Sequence, residues 1–174
     1  MKKFSLLIVT LFLITGFYSC NKVEDNKTAL CNNGIQDGGE TEIDCGAACT
    51  ACPGAPSISC NLGNSSFVST NPANTYGQTL GPSIRIYGND GRPLFFMFIP
   101  SAVNQPLPVT SVSFSYNGEA YAMEAGDRGE VVLTTLDTLR KIASGTFWFT
   151  ANRTTGPDST GALNGVFSNI RYNH

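Results

Sequence analysis

Cysteines and acids crowd one short stretch of this chain, and they raise the first chemical question. Residues 31–52 read CNNGIQDGGETEIDCGAACTAC. Cys31, Cys45, Cys49 and Cys52 could pair as disulfides or ligate a soft metal, while Asp37, Glu40, Glu42 and Asp44 offer hard oxygens. Structural zinc sites are commonly built from two short Cys-x-x-Cys arms, and here only Cys49 and Cys52 have that spacing, with no histidine beside them. Calcium suits the oxygens better, because Gly38 and Gly39 permit a sharp turn among them, although the spacing is not that of a helix-loop-helix calcium loop. The expectation is a chain without a cofactor, with calcium at Asp37, Glu40, Glu42 and Asp44 as the alternative.

Whether the thiols oxidise depends on compartment, and the first residues speak to that. Lys2 and Lys3 precede an apolar run, Phe4 to Phe17, too short to span a bilayer comfortably and typical of an export leader. The run ends Phe17-Tyr18-Ser19-Cys20. This resembles a bacterial lipobox, in which the cysteine receives a diacylglyceryl group and becomes the new N-terminus. Ser19 fits that pattern. Phe17 and Tyr18 depart from its usual Leu and small residue. Asn21-Lys22-Val23-Glu24-Asp25 resembles the acidic surface-export signal of Bacteroidetes lipoproteins. Two or more acyl chains, at about 0.8 kcal/mol per buried methylene, would hold the protein stably. The expected location is the outer membrane, lipid-anchored through Cys20 and facing the surface or the periplasm.

With Cys20 acylated, Cys31, Cys45, Cys49, Cys52 and Cys60 remain in a compartment where disulfides persist. Two bridges among the first four leave Cys60 as a buried thiol, and three pairings are open. A Cys52–Cys60 bridge is the competing arrangement. The stretch also resembles a small module, Cys-x-Asn-Gly-x-x-Asp-x-x-Glu-Thr-x-x-Asp-Cys-Gly-Gly-x-Cys-x-x-Cys, found near membrane anchors of secreted and surface bacterial proteins. Cys31, Asn33, Gly34, Asp37, Glu40, Thr41, Asp44, Cys45, Gly46, Cys49 and Cys52 match it, and Ala47 replaces its second glycine.

Loss of the leader would remove two lysines and make the chain two units more negative than its full-length net charge of −2. The acid excess sits ahead of residue 61, and the rest is balanced. No basic footprint for nucleic acid exists. The expected partners are the membrane, through the lipid, and a protein or glycan ligand.

The organisation expected is a leader (1–19), a tether (20–30), the cysteine module (31–52), a Pro-Gly hinge (53–58) and a β domain (59–174). Ser83 to Tyr87 alternates, and Val109 to Tyr116 alternates with Val112, Phe114 and Tyr116 on one face. Asn117-Gly118 is a strong hairpin signal. Leu94 to Ile99 is apolar throughout and predicts a strand buried on both faces. Leu136 to Ile142 is too short for an independent helix. Ser144 to Ala151 and Gly165 to Tyr172 complete the strands. The fold class is all-β, an antiparallel sandwich or barrel-like domain after a small disulfide-rich stalk.

Glu130-Val131-Val132-Leu133-Thr134, then Ile142 to Ala151, then Asn164 to Tyr172 together resemble the closing pattern of an uncharacterised family of Bacteroidetes lipoproteins, "ISGTFxFxA … GxFxN-hydrophobic-x-Tyr". The resemblance implies fold and localisation and supplies no catalytic residues.

Catalytic constellations are sparse. The single histidine is His174, the last residue. A two-carboxylate glycosidase could draw on Asp90, Glu119, Glu124, Asp127 or Glu130. Those acids fall mostly in turns, where solvated side chains are the rule, so a non-catalytic binding domain is the first reading, with an envelope glycan hydrolase or a purely structural lipoprotein as the alternatives. Tyr76, Tyr87, Tyr116, Tyr121 and Trp148 could form an aromatic platform for sugar rings or peptide, although strand aromatics usually fill cores. Trp148 lies between Phe147 and Phe149; if those two point inward, it points outward. Trp148 and Tyr121 are the candidate ligand-binding residues.

Overall fold

The computed structural model describes Cys31, Asn33, Ile35, Gln36, Gly39, Glu40, Cys45, Gly46, Cys49 and residues 52–173. The leader, Cys20, Asp37, Glu42 and Asp44 lie outside the described residues. The chain divides into two units, Met1–Cys52 and Pro53–His174.

In the first unit, Cys31 bonds Cys49 and Cys45 bonds Cys52, which selects one of the three open pairings. The competing Cys52–Cys60 bridge is absent. Cys60 is a free, buried thiol in the first strand of the second unit.

The second unit is all-β, a closed seven-stranded barrel with extra strands. Its strands are β1 (Ser57–Leu62), β2 (Ser65–Ser69), β3 (Thr75–Leu80), β4 (Ser83–Asn89), β5 (Pro93–Phe98), β6 (Pro106–Tyr116), β7 (Glu119–Ala122), β8 (Gly129–Asp137), β9 (Ile142–Arg153) and β10 (Ser159–Asn173). β1 starts inside the stretch expected to be a hinge.

From β3 to β6 the chain runs as an antiparallel meander. Asn117 and Gly118, with φ of 51° and 78°, turn it back into β7, as the Asn-Gly hairpin signal requires. β7 and β8 then share one place in the ring. β7 pairs the Ser113–Tyr116 end of β6, β8 pairs the Pro106–Pro108 end, and β9 pairs both in turn. Closure comes from β10, antiparallel to β9 and parallel to β3 at Tyr172 and Asn173. The β1–β2 hairpin lies along β10 from Ser168 to Ala162.

Alternation fills the barrel with rings. Phe96 is fully buried, 4.3 Å from Phe147 and 5.8 Å from Phe167 between ring centroids. Leu94, Phe98, Phe114 and Phe149 complete this cluster with no exposure above 2%. The interior is a packed core, and the outward residues are largely Ser, Thr, Asn and charged side chains. That is the inverse of a lipid-facing barrel.

The apolar run Leu94 to Ile99 is not buried on both faces. Leu94, Phe96 and Phe98 point in, while Phe95 and Met97 are half-buried outside. A strand in a closed barrel has one inner face. The Arg85 guanidinium, 4.9 Å from the centroid of the Phe95 ring, covers part of the outer one. Residues 138–141 form a turn, with the Asp137 carboxylate accepting the Leu139 and Arg140 N–H groups.

Candidate functional site

Strand periodicity alone sends Trp148 to the surface. On β9, Phe147 is 3% exposed, Phe149 0%, and Trp148 between them 38%. Its register partner on β8 is Glu130, and the neighbouring pair is Thr146 with Val132. On the other side Thr146 pairs with Val166 of β10.

β10 cannot match β9 one for one here. Its register slips between Ala162 and Gly165, leaving Leu163 and Asn164 as an outward bulge. Asn164 takes the left-handed backbone, φ 52°, which Asn tolerates. Gly165 then crosses directly over Phe147. A Cβ there would lie 2.6 Å from both the ring and the carbonyl oxygen of Phe147. The bulge presents Leu163, 56% exposed, beside Val166 at 44%.

Two open depressions adjoin Trp148, the first of them lined in part by the bulge. One, of about 440 Å³, is lined by Glu130, Val132, Thr146, Trp148, Asn164 and Val166 among others. The other, of about 410 Å³, is lined by Pro108, Asp127, Arg128, Gly129, Glu130 and Trp148, with Val109 at its floor. Trp148 and Glu130 belong to both, so the indole is a ridge between two hollows.

Register extends this face across the sheet. Val68, Ser59, Val166, Thr146 and Val132 stand in successive register on β2, β1, β10, β9 and β8. Asn61 pairs with Leu163 in the next row. Apolar and hydroxyl or amide side chains therefore alternate around the indole.

The candidate acids separate. Asp127 and Glu130 both line the second hollow. Asp127 accepts the Glu124 N–H at 2.8 Å and the Asn152 amide at 3.1 Å, and the Thr150 hydroxyl lies 3.3 Å from its other oxygen. It thus ties the 124–127 turn to β9. Asp90 is bound to Arg92 at 2.5 Å. Burial alone would raise the Asp90 carboxyl; the hydrogen bonds and charge of Arg92, with the Val68 N–H, outweigh it and hold the group below the usual carboxylate range. Glu119 receives the Thr155 hydroxyl at 3.4 Å.

Tyr121 does not join Trp148 at the surface. β7 pairs it with Phe114, and that pairing turns it inward; it is 7% exposed and stacked on the Phe114 ring at 5.1 Å. Tyr76 and Tyr87 pair with each other at 5.0 Å, and the Tyr116 hydroxyl accepts the Asn64 N–H at 3.2 Å. Tyr76, on β3, is itself 43% exposed, but of the five aromatic candidates Trp148 is the one that lines the two hollows. Its neighbours Leu163 and Asn164 lie ahead of Gly165, where the sequence places the start of the last strand, whereas β10 begins at Ser159; Val166 lies within the expected strand, and its place beside Trp148 follows from the register of β10 on β9. The Asn164-Gly165 dipeptide was the available signal of an irregularity.

In the cysteine module, Glu40 is buried, with a carboxylate oxygen 3.1 Å from Cys49 Sγ. Cys31, Glu40 and Cys49 cluster, but both sulfurs are spent in the disulfide. The other three acids expected to hold calcium lie outside the described residues.

A family model for a domain of unknown function, DUF6252, matches residues 56–171, essentially the barrel. No curated protein and no solved structure matches the chain.

Proposed function

The chain belongs to the DUF6252 family, and on that premise we propose that it is a lipid-anchored protein of the bacterial cell envelope whose barrel binds a ligand on the Trp148 face. The observation that carries the binding role is the exposed indole set as a ridge between two hollows. The leader, the lipobox-like Cys20 and the two disulfides support the envelope location. The cysteine module serves as a stapled spacer between anchor and barrel, and the Bacteroidetes resemblance of the last three strands agrees with that arrangement.

Three measurements test this reading. Labelled palmitate should enter the wild-type chain and not Cys20→Ser, and protease added to intact cells decides between surface and periplasm. In the Cys20→Ser background, which carries no acyl anchor, the protein should sediment with isolated envelopes, and the same chain with Trp148→Ala, equally folded by circular dichroism, should not. Equal sedimentation of the two would remove the binding role from this face.

A second reading rests on Asp127 and Glu130 lining one hollow: hydrolysis of an envelope glycan by this carboxylate pair. It predicts new reducing ends when the protein is incubated with neutral oligosaccharides, abolished in Glu130→Gln. Unchanged oligosaccharides would leave the binding reading alone.

A further inference from the structure

We infer that the ligand of the Trp148 face is a neutral oligosaccharide lying across the strands, from the β10 bulge over the indole to the β6 side. The inference rests on the proposed binding role and names its chemistry.

Three observations carry it. The first is the layout of the hollows. One is walled by β8, β9 and β10, the other by β6, β8 and β9, and Trp148 divides them. Volumes of about 440 and 410 Å³ fall within the range of small-ligand sites. A linear chain of rings can place one ring over the indole and its neighbours in the hollows. The second is the mixture of groups. A pyranose has a C–H face, which suits an aromatic surface, and a rim of hydroxyls needing donors and acceptors. Leu163, Val166 and the indole supply the apolar part, and Thr146, Asn164 and Glu130 supply hydrogen-bonding groups in the same hollow. A protein partner would favour a contiguous apolar patch, whereas here Val166 stands between Ser59 and Thr146 in its cross-strand row. The third is charge. Glu130 belongs to both hollows and Asp127 to one, against the single cation Arg128. Phosphorylated and uronate polymers would meet a carboxylate at the centre of the site. A neutral polyol meets an acceptor.

The test is calorimetric titration of the purified full-length protein with neutral gluco-, manno-, galacto- and xylo-hexaoses, their disaccharides, and a hexauronate. At least one neutral hexaose should bind, at least tenfold more tightly than its disaccharide. Trp148→Ala and the exposed variant Leu163→Ser should each weaken it severalfold or more, and the hexauronate should give no heat. No binding by any neutral hexaose, or equal binding of the hexauronate, would overturn the inference. Envelope sedimentation after periodate cleavage of vicinal diols separates the two levels. Loss of Trp148-dependent sedimentation supports a saccharide. Its survival, with no neutral hexaose binding in the titration, refutes the saccharide and leaves the binding face standing, and its absence from untreated envelopes refutes both.

Discussion

Gly165 lets β10 cross Phe147 beside the candidate site. The bulge at Leu163 and Asn164 exists because β10 must pass over Phe147, and the space there ends at the backbone and ring of Phe147. Gly165→Ala should therefore destabilise the barrel by about 1–3 kcal/mol, as overpacked positions do, measurable by urea unfolding. Asn164→Gly keeps a backbone that accepts positive φ and should cost only a few tenths. Cys60 gives a second residue-scale prediction. Burial pushes its thiol up to about 12, with the charges of Arg92 and Asp90 as lesser influences of opposite sign. The native protein should resist thiol reagents at pH 8 and react fully once unfolded. Because the folded value lies above the unfolded one, the unfolded chain loses its proton first. This contribution to stability is intact below about pH 8.5 and falls as pH rises toward 12, at up to about 1.4 kcal/mol per pH unit. Cys60→Ala should flatten that alkaline slope.

At the scale of elements, the exposed strand is β2, which pairs with β1 and ends the sheet order. An open edge invites pairing with another chain. Here one ion pair closes it: Asp90 accepts the Val68 N–H at 3.4 Å, and Arg92 donates to the Ser66 carbonyl at 2.7 Å. Arg92 also sits 5.7 Å from the centroid of the Phe67 ring. Arg92→Ala should cost about 1–2 kcal/mol and produce concentration-dependent dimers by light scattering. Acid should act alike. The Asp90 carboxyl is depressed in the folded state, so its contribution is present above the unfolded value near 3.9 and is lost as pH falls through the folded one. Amide protection in β1 and β2, taken relative to the intrinsic exchange rate at each pH, should fall in acid, and Asp90→Asn should show the lower protection already at neutral pH. Local elements of this kind were legible in the sequence. Alternation turned Val112 and Phe114 inward and Trp148 outward, and Asn117-Gly118 marked its hairpin, because strand faces and tight turns depend on neighbouring residues. Tyr121 was not legible, since its inward orientation comes from pairing with Phe114 rather than from its own neighbours.

The whole molecule joins a disulfide-stapled unit to a barrel whose core contains no bridge. Reduction should leave the melting of the barrel, followed by near-ultraviolet circular dichroism, unchanged within a degree or two. Closure was illegible in sequence for a related reason. The parallel contact of Tyr172 and Asn173 with Gly77 and Gln78 joins strands from opposite ends of the domain, and no short pattern encodes it. Nor could spacing choose Cys31–Cys49 with Cys45–Cys52 over its rivals, because all three pairings are compatible with so short a loop-rich stretch. The ligand face inherits both kinds of information: a periodic strand points Trp148 out, and a closed, bulged ring builds hollows on either side of it.

The central claim is that ligand covers Trp148, and the chain carries a single tryptophan, so its chemistry can be followed without interference. In the Cys20→Ser chain, which lacks the acyl anchor, oxidation of Trp148 by N-bromosuccinimide, read as a mass increase on its peptide, should be fast in the free protein and at least severalfold slower in protein bound to isolated envelopes. Equal rates in the bound and free protein would show that binding occurs elsewhere and would contradict the account.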